Sequence, residues 1–87
     1  MDAEIILDQE GRIVSIPGVC HGNPVIRGTR IMVWLILEYL ANGDGIDEVL
    51  AAHPDLVRKD ILACLAFASR AARERVMPLE VSCAVQV

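Results

Sequence analysis

Residues 22–40 (GNPVIRGTRIMVWLILEYL) change character halfway, and this change most constrains the fold. Up to Arg30 the stretch has the Gly, Pro and β-branched residues that are typical of turns and extended chain. From Ile31 onward, apolar residues occupy nearly every side of a helix, which predicts a central, buried helix over residues 31–41. The hinge between the two halves is predicted at Gly28 and Thr29. Glycine takes a positive φ without steric cost, and the Thr hydroxyl can accept a hydrogen bond from an N–H of the helix that follows.

Two more helices are predicted after the first. Asn42-Gly43 ends the first helix, and a short second helix is expected over residues 46–53. The third is expected over residues 58–75, although Val57 stands where a Ser or Thr cap is usual, so that Asp55 is a candidate cap instead. Apolar residues at helical spacing form the predicted inner stripe of this third helix: Ile61, Leu62, Leu65, Ala68 and Ala72.

Two parts of the chain have the pattern of β-structure. Residues 4–7 and 12–16 are predicted to form a hairpin around the turn 8–11, followed by a loop rich in Gly and Pro. Residues 79–87 alternate between apolar and polar positions, which predicts a strand. That strand is expected to pair with the hairpin, within or between subunits, to dock on another protein, or to be a disordered tail.

The fold class predicted from these elements is mainly α, with a three-helix, helix-turn-helix-like core, an N-terminal β-hairpin and a C-terminal β-strand. All 87 residues form one domain: the hairpin and loop in residues 1–30, the helical core in 31–75 and the strand in 79–87. A chain this short buries only about 60–65% of its unfolded surface. Because 54% of its residues are hydrophobic, part of the apolar surface is expected to lie in a homodimer interface.

The cysteines and the hydropathy pattern predict a cytoplasmic protein. The three cysteines, Cys20, Cys64 and Cys83, are odd in number and widely spaced, which argues against a disulfide framework. The first residues are acidic and do not have the pattern of a secretory signal. No apolar run approaches the ~20 residues that cross a bilayer. No membrane association is expected.

The second and third helices, with the short connection around Pro54, have the proportions of a helix-turn-helix. The third would then be the recognition helix, with Arg58 and Lys59 at the major groove and Arg70 further along as candidate DNA contacts. Against this, the net charge is −4 and the outward positions include Ala63 and Ala66. Spacing alone leaves two alternatives open: DNA binding, or three helices that pack together in a dimerisation or protein-interaction module. A basic face would favour DNA, and acidic side chains interrupting it would favour the interaction module.

Residues 19–31 (VCHGNPVIRGTRI) resemble the signature of the family catalogued as domain of unknown function 433, whose members are often described as VapB-like antitoxins. The resemblance continues through short segments as far as Arg75, among them LANGD at 40–44, HPDL at 53–56 and ACLAFA at 63–68. Val57 departs from the usual Ser or Thr. Residues 1–11 and 79–87 lie outside the resemblance.

The resemblance implies a helix-turn-helix-like fold, a PIN-like nuclease toxin as partner, and autoregulatory binding of operator DNA. On this basis the chain is expected to be the antitoxin or regulatory half of a toxin–antitoxin pair. The resemblance implies no catalytic residue, and no enzymatic activity and no cofactor are expected.

The remaining candidate residues have simpler interpretations. Cys20 and His21 are adjacent loop residues without an orienting carboxylate nearby in sequence, and together with His53 they lack metal-ligand spacing, so neither a nucleophile nor a metal site is predicted. Arg27 and Arg30 are predicted either to contact DNA or a partner, or to pair with carboxylates that hold the hinge. Trp34 is predicted to be a core residue.

Overall fold

A computed structural model describes residues 4–75, as three antiparallel strands and three helices. The order along the chain is β1 (Ile5–Ile6), β2 (Ile13–Ser15), a 3-10 turn (Cys20–Gly22), β3 (Val25–Ile26), α1 (Val33–Ala41), α2 (Ile46–Ala52) and α3 (Arg58–Arg75). The prediction of a mainly α fold is therefore corrected to a mixed one, because the segment after the loop joins the hairpin as a third strand. The predicted strand at residues 79–87 lies outside the described residues.

The sheet has the order β1-β2-β3, with Ile6 opposite Val14 and Ile13 opposite Ile26. Because successive strand residues point to opposite faces, Ile13 and Ile26 share the face that packs on the helices. The hairpin turn has the predicted Gly11 at φ +74°. The Asp8 carboxylate accepts a hydrogen bond from the Ile13 N–H at 3.0 Å, which ends the β1–β2 ladder at the turn.

The core lies between this sheet face and the three helices. Its buried members are Ile13, Ile26, Val33, Ile36, Val49, Leu56, Ile61 and Cys64. Burial raises the pKa of the Cys64 thiol to about 12, so the side chain is a neutral core group. Helices α1, α2 and α3 each contact the other two. A helix-turn-helix arrangement of α2 and α3 stays a prediction.

Helix α1 begins at Val33, two residues later than predicted. Ile31 and Met32 lie outside the helix because both interact with β3. The Ile31 carbonyl accepts a hydrogen bond from the Ile26 N–H at 3.0 Å, and Met32 is extended and forms a bridge to Val25. The expectation that Trp34 is a core residue is wrong: its side chain is 50% exposed. A helix that is apolar all round does not reveal from sequence which side meets the core.

Helix α3 begins at Arg58, as predicted, and is described as far as Arg75, and the side chain that binds at its start is that of Asp60 in the first turn rather than that of Asp55. The Asp60 carboxylate accepts a hydrogen bond from the Val57 N–H at 2.9 Å, which is the acidic half of a capping box. The predicted inner stripe is partly wrong. Leu62 and Leu65 are 47% and 40% exposed, because the buried face runs through Ile61 and Cys64.

Within residues 4–75 there is no helix that combines the length and the apolar character required of a membrane span.

Candidate interaction surface

The hinge is a tight turn between β3 and α1. Gly28 has a φ of +83°, in the left-handed region that favours glycine. The Thr29 hydroxyl donates to the Ile26 carbonyl at 2.7 Å and accepts from the Ile31 N–H at 3.0 Å. Thr29 therefore stabilises the turn itself, two residues before the helix that it was expected to cap.

The two arginines beside the hinge have different surroundings. The Arg27 guanidinium pairs with the Glu4 carboxylate at 3.1 Å, so it joins the hinge to the start of the chain's first strand. Arg30 is exposed, and it forms no ion pair within residues 4–75. It borders a shallow depression of about 530 Å³ that Glu4 and Asp55 also line. The structure thus places Arg27 in an internal contact and leaves the Arg30 guanidinium on the surface.

Cys20 and His21 lie in the 3-10 turn, both with positive φ, at 51° and 57°. The Cys20 thiol contacts the Arg30 carbonyl at 3.6 Å, whereas the His21 side chain is exposed. In the described part of the chain, no three His, Cys, Asp or Glu side chains are grouped as metal ligands would be. This strained turn positions the loop against the hinge.

An ion pair that the sequence does not reveal joins the hairpin to α3. The Arg12 guanidinium lies 2.9 Å from the carboxylate of Asp60, whose residue is only 8% exposed. The hydrogen bond to Asp60 raises the pKa of Arg12. Arg12 and Asp60 are 48 positions apart, so no local sequence pattern indicates that they pair. The spacing of Val57 and Asp60 was a signal for the helix cap only.

The three cations predicted to contact DNA differ in how freely they can do so. Arg58 and Lys59 are exposed on the first turn of α3. Arg70 is half-buried: its guanidinium donates to the Leu7 carbonyl at 2.8 Å and lies 5.9 Å from the centre of the Phe67 ring. Arg70 therefore binds α3 to the end of β1, where it replaces a ladder hydrogen bond at Leu7.

Lys59 and Arg70 border one groove, which we call the α3 groove. It has a volume of about 380 Å³ and lies between α3 and the turn of the hairpin. Its apolar floor is formed by Leu62, Ala63 and Ala66, and its lining residues are Asp8, Gln9, Glu10, Lys59, Leu62, Ala63, Ala66 and Arg70. Asp8 and Glu10, in the turn of the hairpin, bring two carboxylates to the same groove, and the Glu10 carboxylate is paired with Arg12 at 3.2 Å. Carboxylates at this position repel a phosphate backbone, whereas an apolar floor with a polar rim is typical of protein interfaces.

Other large apolar side chains are exposed on α3, at its start and on α1. Val57 is 53% exposed at the start of α3, and Leu65 continues the exposed ridge from Leu62. On α1, the Trp34 indole N–H donates to the Met32 sulfur at 3.2 Å. Exposed apolar residues that adjoin one another mark interaction sites more often than isolated ones do.

Comparison with known proteins gives a family and a fold. The family model described as "Protein of unknown function (DUF433)" matches residues 13–68. A crystal structure of a DUF433 member protein from Anabaena variabilis is similar, with 35% sequence identity and a TM-score of 0.68. The similarity covers 72% of this chain and 62% of that one, so the chain spans less than two thirds of the length of that relative. The curated proteins contain no match.

Proposed function

We propose, from the fact that the chain belongs to the DUF433 family, that it is the protein-binding half of a two-protein module of the antitoxin type. The partner that this proposal names is a PIN-like nuclease toxin, which is the partner that the sequence resemblance implies. The chain itself has no enzymatic role in this proposal. It acts in the cytoplasm as a homodimer.

The observation that carries the proposal is the composition of the α3 groove. A recognition surface for DNA must be cationic, because affinity comes chiefly from phosphate contacts. Here Asp8 and Glu10 line the same groove as Lys59, and the side chain of Arg70 is already bound to Leu7. A protein surface with a complementary apolar ridge fits this groove better than a phosphate backbone does.

Arg30 supplies a second contact in this proposal. PIN-like nucleases have acidic active sites, and a guanidinium can bind a carboxylate through two parallel hydrogen bonds. Arg30 is exposed, whereas Arg27 pairs with Glu4. Arg30 is therefore the arginine that we assign to occlusion of the toxin's active site.

Co-purification with the protein encoded next to this chain tests the proposal. Leu62→Asp places a charge on the groove floor, and we expect it to weaken the complex at least about tenfold. Ala51→Asp introduces the same charge at an exposed position on α2 that does not line the groove, so it is the control and should leave the complex intact. Arg30→Ala should restore nuclease activity in the mixture more than Arg27→Ala does. Equal binding by all four variants would refute the proposal.

DNA binding is the second candidate function. It is favoured by the exposure of Arg58 and Lys59 on the first turn of α3, where a recognition helix contacts base edges. The test is binding of the purified chain to its own upstream DNA over a salt series. DNA binding predicts affinity that falls steeply with salt and a smaller salt slope in Arg58→Ala and Lys59→Ala. Absence of binding at low salt would exclude recognition by this protein alone.

A further inference from the structure

One side of α3 carries an exposed stripe that is separate from most of the α3 groove. Its residues follow one another along the helix at an alternating spacing of four and three, with one further residue at the end, and this spacing keeps them on one side of an α-helix. The stripe is about 22 Å long, from the 1.5 Å rise of each helical residue. We call it the α3 ridge, and its members are Arg58, Leu62, Leu65, Ser69, Ala72 and Arg73. Of these, only Leu62 also lines the α3 groove.

The middle of the α3 ridge has the form of a helix-packing surface. Leu62 and Leu65 are 47% and 40% exposed, and the small side chains of Ser69 and Ala72 continue the stripe. The alternating spacing of four and three is the one that a helix presents to another helix in a coiled coil. A second helix on this surface would place small side chains against the two leucines and larger ones against Ser69 and Ala72, because facing positions must fill the space between the helices.

Both ends of the α3 ridge are cationic. Arg58 is the first residue of α3, Arg73 lies near the last described turn, and both are exposed. Neither guanidinium forms an ion pair within residues 4–75. The two carboxylates of α3 lie off the ridge, since Asp60 is buried and Glu74 borders the depression that Leu7 and Phe67 line. The ridge therefore attracts negative charge at its two ends and apolar surface between them.

We propose that the α3 ridge binds an acidic amphipathic helix of another protein, which has an apolar stripe in its middle and Asp or Glu side chains at both ends. The carboxylates of that helix would pair with Arg58 and Arg73, and its apolar stripe would cover Leu62 and Leu65. Recognition of this kind reads apolar anchors at helical spacing. The proposal goes beyond the proposed function, because it requires neither the toxin nor occupation of the α3 groove.

A second copy of this chain fits the α3 ridge poorly. An antiparallel pair of ridges would bring Arg58 of each copy towards Arg73 of the other, and a parallel pair would bring the two copies of Arg58 together. Like charges that meet across an interface disfavour the complex. A phosphate backbone would satisfy the arginines but would leave the apolar middle of the ridge unused. The combination of an apolar middle and cationic ends therefore favours an acidic helix.

Binding of two synthetic peptides to the full chain tests the proposal, measured by fluorescence anisotropy over a salt series. Both peptides are alanine-rich helices of about 21 residues, long enough to cover the ridge, with the same leucine stripe in the middle. One has glutamates at both ends and the other has lysines. We expect the glutamate peptide to bind at least about tenfold more tightly at low salt, and we expect this preference to shrink as salt screens the charges.

Two sets of variants separate the contributions of the apolar middle and the charged ends. Leu65→Asp should weaken binding of the glutamate peptide at least about tenfold, whereas Ala51→Asp, which places the same charge on α2 and off the ridge, should change it little. The double variant Arg58→Glu/Arg73→Glu should reverse the preference and bind the lysine peptide more tightly. Both arginines are exposed, so circular dichroism should show a folded protein.

Three outcomes would overturn the proposal. The first is equal affinity for the two peptides or no binding of the glutamate peptide at low salt. The second is an equal effect of Leu65→Asp and Ala51→Asp. The third is binding of duplex DNA, but not of the glutamate peptide, that is lost in Arg58→Glu/Arg73→Glu and kept in Leu65→Ala, which would assign the ridge to phosphate. Because the toxin is not present in these assays, their failure is distinct from a failure of the proposed function.

Discussion

Replacing Val57 with threonine should stabilise the protein, because α3 begins without a side-chain cap. Val57 directly precedes Arg58, the first residue of the helix, and its own N–H is already bound by the Asp60 carboxylate at 2.9 Å. The valine side chain has no acceptor for the free N–H groups of the first turn. A threonine hydroxyl would accept from the free N–H of Lys59, because the Asp60 N–H already donates to the Val57 carbonyl at 2.9 Å.

The size of the effect follows from the exposure of Val57. A good cap is worth about 1 kcal/mol relative to an apolar residue. Threonine replaces one methyl group of valine by a hydroxyl. Because Val57 is 53% exposed, the hydrophobic stabilisation lost with that methyl is about half of the ~0.8 kcal/mol of a buried methyl, or about 0.4 kcal/mol. The expected gain is therefore about 0.6 kcal/mol, which corresponds to a rise in Tm of about 2–5 °C for a domain of this size.

Thermal and urea unfolding followed by circular dichroism would measure this gain. Val57→Ser and Val57→Ala form the matched pair, because serine and alanine are similar in volume and differ in the hydroxyl. We expect the serine variant to be more stable than the alanine variant by about 1 kcal/mol. A threonine variant no more stable than the parent, together with equal stability of the serine and alanine variants, would show that Asp60 alone satisfies the start of α3.

Three other predictions concern the buried polar groups. Asp60→Ala should lower the free energy of unfolding, measured in urea, by at least about 1 kcal/mol, since it removes the acceptor for the Val57 N–H. Asp60→Asn should lower it less, because asparagine keeps an acceptor. Equal losses in the two variants would contradict this reasoning. His53→Phe should leave stability unchanged or raise it by up to about 1 kcal/mol, because the buried Nε2 has no hydrogen-bond partner within residues 4–75; a clear drop in Tm would point to a partner. A thiol reagent at pH 8 should modify Cys20 in the native protein but reach Cys64 only on unfolding, because burial raises the pKa of Cys64 to about 12; equal rates would show that α3 opens locally.

Local signals made some elements predictable from the sequence. The start of α3 was predicted correctly because a long helical pattern follows the short connection around Pro54. The hairpin turn was predictable because Gly11 occupies a left-handed position between two short β-branched runs. Each of these signals lies within a few residues of the feature that it determines.

The faces of the helices were not predictable in the same way. Ile61 and Leu62, which are adjacent, are equally apolar, yet Ile61 is fully buried and Leu62 is 47% exposed. Trp34 was misplaced for the same reason, since α1 has apolar residues on every side. When hydrophobicity is uniform around a helix, the position of the sheet decides which side is buried, and that position depends on non-local contacts.

The candidate site shows the same division between local and non-local information. The sequence placed Lys59 and Arg70 on α3, and the structure places both on the α3 groove. The sequence could not place Asp8 and Glu10 on this groove, because only the packing of the hairpin brings them to the helix. The Arg12–Asp60 pair, which fixes the hairpin to the start of α3, was beyond sequence reasoning for the same reason.

The hairpin therefore determines what α3 can bind. The Leu7 carbonyl at the end of its first strand binds Arg70, and its turn carries two carboxylates that line the same groove as Lys59. A helix with the same sequence but without the hairpin would present both cations to solvent and could approach a phosphate backbone. With the hairpin in place, Arg70 is bound to Leu7 and Lys59 shares its groove with two carboxylates, while Leu62 and Ala66 stay exposed. The N-terminal segment, which lies largely outside the family match, therefore contributes the features of the groove on which the proposed preference for a protein partner rests.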